Sequence, residues 1–446
     1  MEYILSTYTH FFTTQHGEKL VYNSEMNSFF KVSSEIYHYL ENLGMKKQAD
    51  LNTTDKDFLV ENKIIVSQSH QIDFINQLKL LNHLRIFDQS TLSLTLIPTS
   101  ACNLSCPYCF EENKPLKRMS DKTINDLIKF ILMHKRAERF SLTWYGGEPL
   151  LAFSTIQKIL ERIKKDVEIP MISHSIVTNG VLFNEEVCDF FSNNPLNSIQ
   201  ITIDGNKDEH NSKRFLKNNR PTFNTIISNI DLILEKLPKT HLSIRINVDE
   251  NNKQSFSIMY KEFQKRWKGK NFSSYPGFIR IDNSTKTNMQ FPSILGGSKK
   301  EFYQDLGKND IGIGYYPSRS EKICSANRIS SYIIGAEGEI YKCWNDVGYK
   351  EKIIGYINKS KLINQTLLAK YIVGCSPFDN PDCLDCFFFP ICSTGCSAYR
   401  MKNIYENGNY DLCTVRKQAG ESREFLSECL EKHYSEIIRT KQQITE

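Results

Sequence analysis

The chain has no run of apolar residues approaching the ~20 that a membrane span needs. Its opening, MEYILSTYTH, has no basic start, long apolar middle or small-residue cleavage site. No signal peptide is expected there, and a cytoplasmic protein with no membrane partner is the default. A basic block is missing too. Lys and Arg number 56 against 51 Asp and Glu, and the net charge of +5 is scattered. A nucleic-acid binder of this length would show a basic stripe, so no nucleic-acid partner is expected. There is no low-complexity tract and no simple repeat, which excludes solenoids and propellers.

Cysteine, in contrast, is plentiful, with 13 in 446 residues. In a reducing compartment these are not expected to form structural disulfides. Eleven lie in two groups with short spacings, a pattern of metal or iron–sulfur binding. Cys188 and Cys429 sit in helical patterns and read as packing residues.

Between about 90 and 282, strand-like and helix-like segments alternate. The strands are 92–99, 141–145, 175–178, 198–203, 242–248 and 277–281. Helical periodicity covers 120–136, with Ser120 as N-cap, then a segment capped by Ser154, then 184–193, 222–237 and 253–267. This order predicts an α/β fold, a parallel sheet curled by right-handed crossovers into a full or partial (β/α) barrel. In such barrels, reactive groups follow the strands. Here TSACNLSCPYCF follows the first strand, GGEP the second, TNG the third and DG the fourth. The fifth ends at Asn247 and Asp249.

Cys102, Cys106 and Cys109 form C-x3-C-x2-C in the first of these loops. Three thiolates suit three irons of a four-iron cluster, and a zinc site completed from elsewhere is the alternative. With Pro107, Tyr108 and Phe110 around the third cysteine, the loop resembles that of the radical S-adenosylmethionine (SAM) superfamily. The resemblance implies a partial (β/α)6 TIM-like barrel and a [4Fe–4S] cluster whose open iron chelates SAM. Reductive cleavage of SAM then yields a 5′-deoxyadenosyl radical. Gly146, Gly147, Glu148 and Pro149 resemble the motif for the SAM amino group. Tyr108, Asn179, Asp204 and Asn247 become cofactor-facing positions, and Thr202 and Arg214 candidate partners of the SAM carboxylate. His210 reads as structural.

The second group holds the series Cys324, Cys343, Cys383, Cys386, Cys392, Cys396 and Cys413, with Cys375 as a spare and Gly338 five residues before Cys343. A zinc ribbon needs two C-x2-C knuckles and only one is present. The order resembles the SPASM domain of radical SAM enzymes that modify peptides and proteins. That implies two auxiliary [4Fe–4S] clusters, one on Cys383, Cys386, Cys392 and Cys413, the other on Cys324, Cys343 and Cys396. Sulfatase-maturing relatives place a cysteine where this chain has Ser330, so Cys375 closes the second cluster or one iron stays open. Those relatives also carry an Asp general base directly after the equivalent of Cys343. Here that residue is Trp344, with Asp346 shifted by two.

Residues 1–88 read as a small antiparallel meander with two helices, a winged-helix-like unit. It resembles the precursor-recognition modules of enzymes that mature ribosomally made peptides, which bind a leader peptide along a sheet edge. A structural cap on the barrel mouth is the alternative. The expected division is 1–88 recognition unit, 89–282 barrel, 283–322 bridge, 323–420 SPASM domain and 421–446 C-terminal helix. The function implied is a peptide maturase, with an external electron donor such as flavodoxin or ferredoxin. A sulfatase-maturing enzyme is the alternative, and a non-catalytic electron carrier or peptide-binding subunit the alternative of another class.

Overall fold

The computed structural model describes residues 3–109, 116–279, 297–309, 323–359, 361–392, 395–410, 412–413 and 421–445, with 311, 317 and 319. Two compact units emerge. One comprises Asp88–Ile311 and Ser325–Tyr371. The other gathers Met1–Phe87, Gly312–Cys324 and Ile372–Glu446. They group the chain differently from the expected division, because the two halves of the cysteine-rich region fall in different units.

The N-terminal meander forms as its alternation predicts. Strand β1 (Tyr3–Leu5) precedes β2 (Thr9–Thr13), β3 (Lys19–Asn23) and β4 (Ser28–Lys31), and the last three pair antiparallel. Helices α1 (Ser34–Gly44) and α2 (Thr53–Glu61) follow, capped by Ser33 and Asn52. Strand β5 (Ile65–Ser67) returns to pair with β1. An unanticipated helix, α3 (His70–Phe87), follows it. Its Ile72, Leu80, Leu84 and Phe87 are exposed, so its sequence lacks the apolar stripe that marks a packed helix.

The larger unit alternates as expected. The strands are β6 (Thr91–Leu96), β7 (Arg139–Trp144), β8 (Met171–Thr178), β9 (Ser198–Ile203), β10 (His241–Val248) and β11 (Phe272–Phe278). The interleaved helices are α4 (Asp121–Met133), α5 (Phe153–Asp166), α6 (Glu185–Asn193), α7 (Lys207–Lys213), α8 (Phe223–Lys236) and α9 (Ser255–Arg266). Each strand pairs parallel with the next in sequence. This is the partial TIM-like barrel. Leu92, Leu94 and Leu96 on β6 are buried, as are Ile199, Ile201 and Ile203 on β9, while the alternate Ser and Thr positions stay half-buried.

Three details differ from expectation. The sixth strand ends at Phe278 instead of 281, and residues 280 and 281 lie outside the described residues. Ser154 does not cap α5, which starts at Phe153 with no side-chain cap because Pro149–Ala152 already turn as a 3-10 segment. Helix α7, held by a capping box of Asn206 and Glu209, was not anticipated. Ser120 does cap α4, accepting from Thr123 N at 3.1 Å. Most of 283–322 lies outside the described residues. Within it, α10 (Gly297–Lys308) packs Phe302 against Phe256 and Phe278.

The sheet continues past β6. Strand β12 (Ser331–Ile334) pairs parallel with it, then β13 (Glu339–Tyr341) and β14 (Gly355–Tyr356) extend the sheet antiparallel, before α11 (Gln365–Ile372). In the smaller unit, α12 (Pro381–Leu384), α13 (Ser397–Tyr405) and α14 (Glu421–Thr445) complete the chain. Leu20, Tyr22 and Phe12 of the meander bury against Phe387, Phe388, Ile391, Leu426 and Leu430. Val21 faces the opposite way, against Ile36, Leu40, Leu59 and Ile65. The meander is therefore a central layer with a core on each face. No described helix is long and apolar enough to cross a membrane.

Candidate active site

The loop after β6 carries Cys102, Cys106 and Cys109, all half-exposed. Several backbone bonds hold it: Ser100 N donates to Lys117 O at 3.0 Å, Ser105 N to Phe215 O at 2.9 Å and Cys109 N to Cys106 O at 3.0 Å. Burial pushes the Cys102 thiol up to about 11, and Glu148 and Cys109 add to the rise, while a hydrogen bond from Leu104 N opposes it. Burial also raises Cys106, with Arg214 opposing and Asp204 and Cys102 adding. Cys102 thus lies within electrostatic reach of both other thiols. Phe110 lies outside the described residues.

The loop after β7 presses directly on this one. A Cβ at Gly146 would stand 2.4 Å from Thr99 O, and one at Gly147 2.4 Å from Ala101 O. Only glycine permits this approach, and Gly146 also has φ +127. Glu148 joins this loop to the one after β8. It is fully buried and accepts hydrogen bonds from Leu150 N at 3.0 Å, Thr178 Oγ1 at 2.9 Å and Asn179 N at 2.8 Å. A buried carboxylate needs such donors. Here they make Glu148 a latch between the loops after β7 and β8, and burial raises its pKa against those bonds. Asn179 in turn donates to Asn103 Oδ1 at 2.7 Å, and its Nδ2 lies 3.9 Å from Cys102 Sγ. Asn103 escaped the sequence reading, although its place beside Cys102 was a signal.

Tyr108, Asp204, Arg214 and Asn247 come together. The Tyr108 hydroxyl donates to Asp204 Oδ2 at 2.5 Å and accepts from Arg214 Nη1 at 3.2 Å. Asn247 Nδ2 donates to Asp204 Oδ1 at 3.1 Å. Burial drives the Asp204 pKa up, opposed by the Arg214 guanidinium. His210 sets the frame. Its Nδ1 accepts from Asp204 N at 3.3 Å, and its Nε2 donates to Thr222 Oγ1 at 3.0 Å, whose hydroxyl donates to Arg214 O at 2.5 Å. That tautomer follows from the partners. Burial holds His210 down to about 3, so it stays neutral. Two buried polar atoms in this cluster lack a hydrogen-bond partner: Arg214 Nε, 3.8 Å from Asp204 Oδ1, and Asn247 Oδ1. Thr202 stands in register with Arg245 on β10. A pair missed in the sequence lies close by, Lys213 to Asp249 at 2.8 Å, with Asp249 fully buried.

Cys343 belongs to the barrel unit. Beside it, the buried Lys342 ammonium donates to Arg328 O and Ser331 O at 2.5 Å each, fastening the β12–β13 hairpin. Trp344 lies on Tyr145, with ring centroids 4.2 Å apart. Asp346 is buried and accepts from Tyr371 Oη at 2.7 Å. Cys324, Cys375, Cys383, Cys386, Cys392, Cys396 and Cys413 belong to the other unit. Cys324 is exposed and Cys375 buried. Cys386 N donates to Cys383 O at 3.1 Å, so these two share one turn. Among the described residues, no three His, Cys, Asp or Glu side chains close around a single metal ion.

The first-loop residues suit a cluster and a zwitterionic ligand. Three thiols share one loop, and an unpartnered donor and acceptor, Arg214 Nε and Asn247 Oδ1, stand in the network that holds it. Cys102, Cys106 and Cys109 would hold the cluster. When bound, cluster and SAM together supply a hydrogen-abstracting carbon radical.

Residues 96–261 match the model of the radical SAM superfamily. The chain is 31% identical over 355 residues to the serine-type anaerobic sulfatase-maturating enzyme of Klebsiella aerogenes, covering 70% of this chain and 80% of that one. Among solved structures, anSMEcpe with bound AdoMet and Cp18Cys peptide superposes with a TM-score of 0.58 at 21% identity, over 79% of this chain and 99% of that one. Streptococcus suis SuiB bound to S-adenosylmethionine has a TM-score of 0.51 at 16% identity, over 92% of this chain and all of its own. With its cysteine loop, its barrel and these likenesses, the chain belongs to the radical SAM superfamily, in its SPASM-related subgroup, and is a catalytic enzyme that uses SAM and a [4Fe–4S] cluster.

Proposed function

We propose that the enzyme matures a ribosomally made precursor peptide, cleaving SAM to a 5′-deoxyadenosyl radical that removes hydrogen from a peptide residue and leaves a cross-link or other oxidised product. The observation that carries this reading is the surroundings of Trp344. Sulfatase-maturing relatives resemble this chain but need a carboxylate base at that position. Here the indole lies on Tyr145, and the nearest carboxylate in sequence, Asp346, is buried on the Tyr371 hydroxyl. A buried, hydrogen-bonded carboxylate is poorly placed to collect a substrate proton.

Forming a new bond from two C–H or X–H groups removes two hydrogens. One leaves as the abstracted atom; the other leaves as a proton and an electron, which needs an acceptor. The cysteines of the second group would hold that acceptor: Cys383, Cys386, Cys392 and Cys413 for one auxiliary cluster, and Cys324, Cys343 and Cys396, with Cys375 or an open iron, for another. An external donor such as flavodoxin or ferredoxin would reduce the first cluster. The N-terminal meander supports the peptide assignment, because β4 is an outer strand whose edge can take a leader peptide as an added strand.

The second reading, formylglycine formation on a sulfatase, is favoured by the identity to the Klebsiella enzyme. One experiment separates them: anaerobic coexpression with a short open reading frame found next to the gene and, in parallel, with a sulfatase bearing a Cys or Ser target, then mass measurement and hydroxylamine treatment. A peptide lighter by two hydrogens and inert to hydroxylamine supports maturation. A hydroxylamine-reactive aldehyde on a Cys or Ser supports the second reading and overturns the first.

A further inference from the structure

The sheet face opposite the buried leucines and isoleucines of the barrel carries mainly neutral residues, among them Ser93, Thr95, Ser141, Thr143, Gln200 and Thr202, and also the arginine Arg245. On β10 the sequence LSIRIN sends Leu242, Ile244 and Ile246 into the core, so Arg245 points the other way, in register with Thr202 on β9 and Tyr275 on β11. The neighbouring groups are neutral: Tyr275 Oη donates to Gln200 Oε1 at 2.9 Å. Arg245 Nε is buried and has no hydrogen-bond partner, and no described carboxylate forms an ion pair with this side chain. The nearby acids on the strand ends are already engaged: Asp204 by Tyr108 and Asn247, Asp249 by Lys213, and Glu148 by Thr178 and Asn179.

A partly desolvated guanidinium without an anion is costly, and a carboxylate is its best-matched partner. The backbone makes room for it. A Cβ on Gly277 would stand 2.1 Å from Arg245 Nε, 2.7 Å from Cγ and 2.9 Å from Cδ. Gly277 lies two residues beyond the register partner of Arg245 on a parallel strand, so the side chain runs towards the strand ends that carry the active site. There it meets the position of Asn247, whose register partner is Gly277 and whose Oδ1 also lacks a partner. A ligand bringing an acceptor to Arg245 and a donor to Asn247 has the chemistry of an amino acid or peptide unit.

We propose that Arg245 is a receptor for a ligand carboxylate on the polar face of the barrel sheet, with Gly277 as the cradle that positions it. The inference rests on the radical SAM reading above. Two sources share the chemistry, the methionyl carboxylate of SAM and a carboxylate of the peptide substrate.

The test uses the full-length enzyme with its clusters. Modification of Arg245 by phenylglyoxal is read by mass spectrometry with no addition, with SAM, with decarboxylated SAM, and with N-acetylglutamate amide or N-acetylglutamine amide in the presence of SAM. Protection by SAM but not by decarboxylated SAM assigns the SAM carboxylate. Additional protection by the glutamate compound but not the glutamine one assigns a substrate carboxylate. Binding of the protecting compound should fall roughly tenfold or more in Arg245→Gln, as expected for a charge-assisted pair. It should also fall in Gly277→Ala, which keeps the guanidinium but displaces it. Equal modification under all five conditions overturns the proposal, as does unchanged binding in variants that melt like wild type. Release of 5′-deoxyadenosine by the same preparation is scored separately, so failure of the radical SAM reading would be recognised as such.

Discussion

The barrel unit is nearly continuous in sequence, whereas the smaller unit is assembled from both ends of the chain. In the barrel, the six strands β6–β11 lie side by side in sequence order, so local periodicity determines their partners. In the smaller unit, Leu20 and Tyr22 find their core against Leu426 and Leu430. No local pattern encodes that pairing. The first cysteine group sits in the continuous unit, inside a dense polar network. Most of the second group sits in the discontinuous one. A cofactor site built on strand ends inherits the precision of the sheet, while one divided among distant segments depends on their assembly.

The sharpest way to break this comparison is Leu430→Asp. A charge in the core shared by the meander and α14 should cost on the order of 5 kcal/mol. Hydrogen-exchange protection should vanish across β2–β4 and α14 while β6–β10 keep theirs. Equal loss in both regions would show that the units do not unfold separately. Next comes Lys213→Met, which strands Asp249 without its cation inside the barrel. Loss of one partner of a buried pair costs about 3–5 kcal/mol. Urea unfolding followed by tryptophan fluorescence should show it, with protection in β2–β4 unchanged.

A smaller effect follows from His210. Its folded pKa of about 3 lies below the unfolded value of 6.5, so below pH 6.5 the unfolded chain binds more protons. Stability is therefore full above pH 6.5 and is lost as pH falls towards 3, by about 2 kcal/mol between pH 7 and pH 5. His174, held at about 4 by burial, acts in the same direction. His210→Asn should flatten the slope of barrel stability against pH, and an unchanged slope would contradict the assignment. The smallest effect is expected from Ser120→Ala, about 1 kcal/mol for a lost helix cap, visible as a modest fall in the barrel's urea midpoint.

The barrel was legible because its signals are local. Leu92, Leu94 and Leu96 alternate with polar residues, Ile124, Leu127, Ile128 and Ile131 repeat at helical spacing, and the glycines of GGEP mark a close approach. The residues that carry the first loop's polar network, Tyr108, Asp204, Arg214 and Asn247, were named from resemblance, and the structure brings them together. What escaped was set by tertiary contact. The hydrogen bonds that Thr178 and Asn179 give Glu148 join loops thirty residues apart. Arg245 reads as one more charge in a strand until its lack of a partner is visible. Strand β12 joins the barrel sheet across more than two hundred residues from β6, and no spacing announces that.

The central claim is that Cys102, Cys106 and Cys109 form the site at which SAM is cleaved. The most direct measurement is 5′-deoxyadenosine release from anaerobically reconstituted enzyme given dithionite and SAM, beside Cys102→Ala prepared identically. The account predicts release by the wild type and none by the variant. No release by fully reconstituted wild type, or equal release by both, would contradict it.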